Sequence, residues 1–328
     1  MTLLNKCIQA GDIDRTVLYT FEQDYTVRDI IASTQDYVNL IGSEVDLHGQ
    51  RVVLLIPHVL PFVSAAFAVN QLGGTVVPLS MQYRQEDLTS VLETISPQMI
   101  FTVKEHNGIA FSEIVNAWQK KSAMECTVFT FSEGTEWQRQ DYPGELGELS
   151  DPEPCFIFFT SGSTGTPKGL VNREDTFNFY KLFNESMHMK STDRMFSVPP
   201  INGGFGYNWF LAALSGGYEL AIPDSFDFPK MVQLMKRLNC NKILATPSLM
   251  KAFYTMTQRL EPEAFRNLQV CYLAGEMVSE GFVDQFKLMT DTNFIGIYGM
   301  SEVGPAMYAD LRGRIEWNVQ ERFQVRLI

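Results

Sequence analysis

The sequence predicts an α/β protein of two lobes, each a mainly parallel sheet flanked by helices. Three observations carry this. Short apolar runs alternate with stretches of helical length. The alternation occurs twice, once on either side of a polar segment. And 45% of the 328 residues are hydrophobic, enough to bury more than one core. In the first half RVVLLI (51–56) reads as a buried strand, 60–72 as a helix ended by Gly73 and Gly74, and TVVPL (75–79) as the next strand. Residues 85–95 follow as a helix and QMIFTV (98–103) as a strand. In the second half YELAI (218–222), KILAT (242–246), QVCYLA (269–274) and NFIGIY (293–298) are strand candidates. Helical stretches near 228–238, 248–259 and 280–289 separate them. The intervening EGTEWQRQDYPGELGELSDPEP (133–154) is acidic and turn-rich, and is expected to be a surface connection without helix or strand.

Composition removes several classes of function. A formal charge of -12 argues against nucleic acid as a partner, because that affinity rests on clustered cations. A protein this acidic must bind an anion with local groups rather than with its overall field. The five cysteines show no CxxC pair and are expected to be buried thiols. The four histidines show neither HExxH nor HxH spacing, which argues against a histidine zinc site. Residues 1–14 lack a signal-peptide apolar region, and the longest apolar stretch, VLPFVSAAFAV (59–69), is too short to cross a bilayer. A soluble cytoplasmic protein with no membrane partner is expected.

The stretch TSGSTGTPKG (160–169) directly follows the apolar run CFIFF (155–159). It is not the P-loop of nucleoside triphosphatases. Pro167 stands where that motif has Gly, Gly169 follows Lys168 where it has Ser or Thr, and GLVN (169–172) continues as a strand instead of a helix. Its residues still suit an anion. Gly162 and Gly165 allow positive φ, so successive N–H groups can turn into one concavity. Thr160, Ser161, Ser163, Thr164 and Thr166 add hydroxyl donors, and Lys168 adds a point charge suited to phosphate. A loop leaving the carboxyl end of a strand also sits where α/β sheets bind ligands.

This loop resembles the phosphate-loop signature of the adenylate-forming superfamily, which includes acyl-CoA synthetases, peptide-synthetase adenylation domains and luciferases. IYGMSEVG (297–304) resembles the family's second signature, Tyr-Gly-x-Thr-Glu, with Ser301 keeping the hydroxyl of the usual Thr. YLAGEM (272–277) resembles its Ala-Gly-Glu segment and falls between the other two. Weaker similarity extends from YTVRDI near Tyr25 through 52–79, so in order and spacing the resemblance covers nearly the whole chain.

The resemblance implies a two-step reaction. A carboxylate attacks the α-phosphate of ATP to give an acyl-adenylate and pyrophosphate, and a thiol of CoA or a phosphopantetheine arm then takes the acyl group. It implies that Thr160, Ser161, Gly162, Ser163, Thr164, Gly165, Thr166 and Lys168 wrap the β- and γ-phosphates. It implies that Tyr298 lies against adenine, that Gly299 lets the backbone approach it, and that Met300 belongs to the same segment. Ser301 would reach the α-phosphate and Glu302 would hold Mg²⁺, which prefers carboxylate and phosphate oxygens. Gly275, Glu276 and Met277 would border the nucleotide, and Ala274 and Gly275 the acyl group. Thr160, Lys168, Ser301 and Glu302 are the catalytic candidates. In domain terms it implies an N-terminal adenylation core over 1–328, with a first lobe near 1–200, a second near 201–304 and the start of a third subdomain at 305–328.

Two departures qualify this. VPPINGGFGYNWF (198–210) stands where many acyl-CoA ligases have Pro-x-x-His and amino-acid-activating domains have Phe-Asp, and no acidic residue occurs between Arg194 and Glu219. That argues against an α-amino acid and for an aryl or fatty-type acid. Asn202, Gly203, Gly204, Phe205 and Tyr207 are the pocket candidates, although aromatics at this spacing equally suit a helix core. Second, the ribose-binding aspartate, the hinge and the small C-terminal lid domain with its lysine are expected beyond Ile328. An end inside a strand pattern is a poor domain boundary, so the sequence is expected to be a piece of a longer parent, incompetent for full turnover alone. A catalytically inactive nucleotide- or acyl-binding module, an amino-acid-adenylating domain and luciferase-type oxygenation are the alternatives.

Overall fold

The alternating elements assemble into two sheets in the computed structural model, which describes residues 2–8, 13–132, 136–147, 149, 153, 155–160, 167–173, 180–300 and 304–320. In chain order the first elements are α1 (Leu3–Cys7), β1 (Thr16–Tyr19), β2 (Asp24–Thr26), α2 (Val27–Ile41), β3 (Arg51–Leu54), α3 (Val59–Gln71), β4 (Thr75–Pro78), α4 (Gln85–Ile95) and β5 (Met99–Val103). Then come α5 (Phe111–Ser122), β6 (Cys126–Phe131), β7 (Trp137–Tyr142), β8 (Cys155–Thr160), β9 (Lys168–Arg173), α6 (Tyr180–Ser186), β10 (Arg194–Ser197), α7 (Gly204–Gly216) and β11 (Glu219–Ala221). The last are α8 (Phe228–Leu238), β12 (Lys242–Ala245), α9 (Pro247–Leu260), β13 (Val270–Ala274), β14 (Asn293–Met300), β15 (Gly304–Asp310) and β16 (Asn318–Val319).

The chain divides into two units, residues 1–6 with 28–178 and residues 7–27 with 179–328. The first holds a seven-stranded sheet in the order β7-β6-β5-β3-β4-β8-β9. Its interior strands are parallel and its two edges, β7 and β9, are antiparallel. The reason is legible in the strands themselves. β3, β4 and β5 are almost wholly buried apolar runs, as two-faced burial demands, while β7 reads WQRQDY and is exposed along most of its length. α3 is apolar all round, with ten of its thirteen residues buried. Behind it Gly73, at φ +87, leaves its missing Cβ to the His48 ring, which would stand 2.5 Å away.

The second unit holds a nine-stranded sheet in the order β16-β15-β14-β13-β12-β10-β11-β1-β2, parallel from β14 to β1 and antiparallel at its edges. One face carries an apolar core of Phe196, Ile243, Cys271 and Phe294 with α8 and α9. α8 shows the expected end chemistry: Asp227 accepts from the Lys230 N–H at its start, and Asn239 in the left-handed region closes it. At the amino end of the strands Lys242 and Asp193 form an ion pair at 2.9 Å, with side chains only 6% and 5% exposed. Asp193 also accepts from Asn241 and the Lys190 N–H, and Lys242 donates to the His188 carbonyl and to Tyr272. Burial alone would raise the Asp193 pKa, but these donors outweigh it and hold the carboxyl below its usual range.

Several expectations change. Residues 137–142, expected to be an irregular connection, form β7, because its alternate side chains can stay in water while its backbone pairs with β6. The expected helix at 280–289 is reduced to a single 3-10 turn, Phe282–Gln285, following Gly281 at φ +74. The expected divisions near 200 and 305 do not coincide with the two units. β1 joins the second sheet because it runs parallel beside β11, and residues 304–320 continue that sheet as an antiparallel edge. All five cysteines are free and buried, as expected. No helix among the described residues is long and apolar enough to cross a membrane.

Candidate functional site

In the first unit the phosphate-loop candidate is framed by a hairpin. Thr160 ends β8, Lys168 begins β9, and the two are register partners. β8 runs parallel to β4, which puts Thr160 and its partner Lys168 at the carboxyl ends of the parallel strands. Lys168 is exposed. Ser161, Gly162, Ser163, Thr164, Gly165 and Thr166 lie outside the described residues.

In the second unit the other candidates gather at the carboxyl ends of two adjacent parallel strands. Ala274 closes β13 and pairs with Ile297 in β14, with Tyr298, Gly299 and Met300 following. After Ala274 the chain turns at Gly275, whose φ of +85 favours glycine. This turn delivers Glu276 to the amino end of α9, a contact that sequence reading missed. The Glu276 carboxylate accepts from the Ser248 hydroxyl at 2.6 Å and from the Ser248 N–H at 3.0 Å. The Ser248 side chain first, then Thr246 and the Ser248 N–H, hold the Glu276 pKa below its usual value against a partial desolvation. The signal for the helix end was present. Thr246 is an N-cap that accepts from the Leu249 N–H, and Pro247 occupies the first turn. Its meeting with a carboxylate 28 positions away was not legible.

Met277 is 95% exposed, and Tyr298 and Met300 are about half exposed, so this end of the sheet presents apolar surface to solvent. Gly299 has a packing role of its own. β14 and β15 shift register at this point, and a Cβ on Gly299 would stand 2.6 Å from the Gly304 carbonyl and 2.8 Å from Pro305 Cα. Ser301 and Glu302 lie outside the described residues. The described ones hold no group of three metal-ligating side chains.

Asn202 and Gly203 form the turn after β10, and Gly204 opens α7. All three, with Phe205, are half-buried, whereas Tyr207 has no exposed surface and lies in the helix's packed face. Gly206 lets that turn close, since a Cβ would stand 2.3 Å from the Pro200 carbonyl. No carboxylate occurs between Arg194 and Glu219, a stretch that is all described.

Known proteins resemble the chain throughout. The nonribosomal peptide synthetase aneB of Aspergillus aculeatus is 24% identical over 304 residues, 90% of this chain and 26% of its own. The chain spans about a quarter or less of the length of the curated relatives it matches first. Among solved structures, VinN in complex with L-aspartate superposes with a TM-score of 0.76 at 17% identity, covering 94% of this chain and 78% of that one. ATP-bound MatB from Rhodopseudomonas palustris gives 0.76 at 16% identity, covering 96% and 63%. A family model described as AMP-binding enzyme matches residues 14–322, and the chain belongs to that adenylate-forming family.

Proposed function

We propose that this chain binds Mg·ATP and a carboxylic acid lacking an α-amine, of aryl or fatty type, and joins them as an acyl-adenylate with release of pyrophosphate. CoA or a carrier-bound phosphopantetheine thiol would then take the acyl group. The observation that carries the choice of acid is the turn of Asn202, Gly203 and Gly204. A substrate ammonium brought out of water needs a carboxylate partner, and none occurs between Arg194 and Glu219.

Joining two anions requires neutralisation and alignment more than a general base. Lys168 and the hydroxyls from Thr160 to Thr166 neutralise the β- and γ-phosphates. Tyr298 meets the adenine face, and the Gly275 turn leaves the backbone bare beside the base and the acyl group. Ser301 reaches the α-phosphate, and Glu302 is the carboxylate available to Mg²⁺. Glu276, tied to Ser248, fixes the turn and leaves Gly275 and Met277 to border the ligand.

The alternative, an amino-acid-adenylating domain, is favoured by one observation: the curated relatives first matched are peptide synthetases. ATP–pyrophosphate exchange across a panel of aryl, fatty and amino acids decides between them. Exchange stimulated by aryl or fatty acids supports the proposal. Stimulation by amino acids alone assigns the chain to the alternative, and no exchange with any acid makes it a binding module.

A further inference from the structure

Tyr298 is 49% exposed, and its one aromatic contact among the described residues is Trp317, with ring centroids 6.1 Å apart and planes at 72°. Their spacing of 19 positions offers no reason to connect them. The sheet does. Tyr298 pairs with Met307, which pairs with Val319, and Gly296 pairs with Ala309 one step along the same face. Trp317 immediately precedes β16 and lies across Gly296. A Cβ there would stand 3.2 Å from its Cη2 and 2.8 Å from Leu311 Cδ2. Glycine at this position therefore leaves room for the indole and the Leu311 side chain beside the strand that carries Tyr298.

A half-exposed tyrosine without a neighbour populates several rotamers, and a ligand that needs one of them must select it at a cost in affinity. We propose that Trp317 is a positioning residue of the nucleotide subsite, holding the Tyr298 ring in the attitude in which it meets the base. This rests on the reading of Tyr298 as the adenine platform. An edge-to-face pair contributes modestly, so the expected effect is on affinity for the base-bearing ligand and not on the phosphate end.

The test measures dissociation constants of the full chain for Mg·ATP and for Mg·pyrophosphate by titration calorimetry. Trp317→Ala should weaken ATP about three- to tenfold while leaving pyrophosphate within about twofold. Trp317→Phe should recover most of the loss. In a Tyr298→Ala background Trp317→Ala should add nothing, because its effect passes through the tyrosine. Gly296→Ala, which displaces the indole without removing it, should weaken ATP in the same direction. Unchanged ATP affinity in Trp317→Ala, equal losses for ATP and pyrophosphate, or a full additive loss on top of Tyr298→Ala would each overturn the inference. If Trp317→Ala does not fold, Trp317→Phe and Gly296→Ala carry the test, and unaltered ATP binding in both overturns it. Failure of the wild-type chain to bind ATP would remove the proposed function itself. Normal ATP binding with indifferent Trp317 variants would remove this inference alone.

Discussion

Both units end their parallel run in the same way. In the first, β8 leads through residues 161–167 into the antiparallel β9; in the second, β14 leads through residues 301–303 into the antiparallel β15. Each hairpin carries one of the two signatures, and their chemistry is opposite. The first connection is seven residues of hydroxyls and glycine followed by Lys168, fit for phosphate. The second is three residues with Ser301 and Glu302 after the aromatic Tyr298, fit for a base and a cation. The supporting sheets differ too. Among the described residues the only buried charged side chains, Asp193 and Lys242, lie in the second unit, while the buried polar residues of the first are neutral. The second sheet thus carries an internal ion pair at the amino ends of its central strands, where the described buried polar groups of the first unit are all neutral.

That contrast can be broken, beginning with the largest effect. Asp193→Asn leaves Lys242 buried without its counter-charge and should cost about 3–5 kcal/mol, read as a lower midpoint in urea. Double replacement by apolar residues should cost much less. The sign with pH follows from the lowered Asp193 pKa. Its contribution is present above the ordinary carboxylate value and is lost as pH falls through the folded value, so the gap between wild type and Asp193→Asn should narrow in acid.

Next, Lys168→Ala should slow ATP–pyrophosphate exchange about 100-fold with little change in thermal midpoint, since its side chain is exposed. Gly299→Ala should destabilise by about 1–3 kcal/mol, because its Cβ meets backbone of the facing strand at 2.6 Å. Gly169→Ala on the first hairpin meets only the ends of the Ile157 and Phe159 side chains, at 3.0 and 3.2 Å, and should cost less than about 1 kcal/mol by the same denaturation measurement. Equal losses at the two glycines would contradict the asymmetry of the hairpins. The smallest effect is expected from Glu276→Gln, which removes the charge facing Ser248. Because the Glu276 pKa is lowered, the wild-type advantage in ATP affinity should be present at neutral pH and fade as pH falls below the ordinary glutamate value.

Much of this was legible in the sequence, for reasons that also explain the gaps. Buried parallel strands such as RVVLLI and QVCYLA announce themselves because two-faced burial demands unbroken apolar runs. α4 matched its expected bounds because its apolar positions keep helical spacing. WQRQDY hid β7 because an edge strand exposed along its length has no apolar pattern to show. Residues 280–289 have a helical look, yet Gly281 in the left-handed region starts a 3-10 turn there instead. In the candidate site the signatures stood out because glycine, hydroxyl and lysine are rarely packed so closely. Contacts between distant segments, Glu276 with Ser248 and Tyr298 with Trp317, arise only from sheet order and could not be read from spacing.

What most needs testing is the proposal that this chain binds Mg·ATP, with Lys168 and Tyr298 both contributing. Titration of Mg·ATP into the folded chain and into Lys168→Ala and Tyr298→Ala addresses it directly. One ATP per chain is expected, bound more weakly by both variants. A folded chain that takes up no ATP, or binding indifferent to either change, would contradict it.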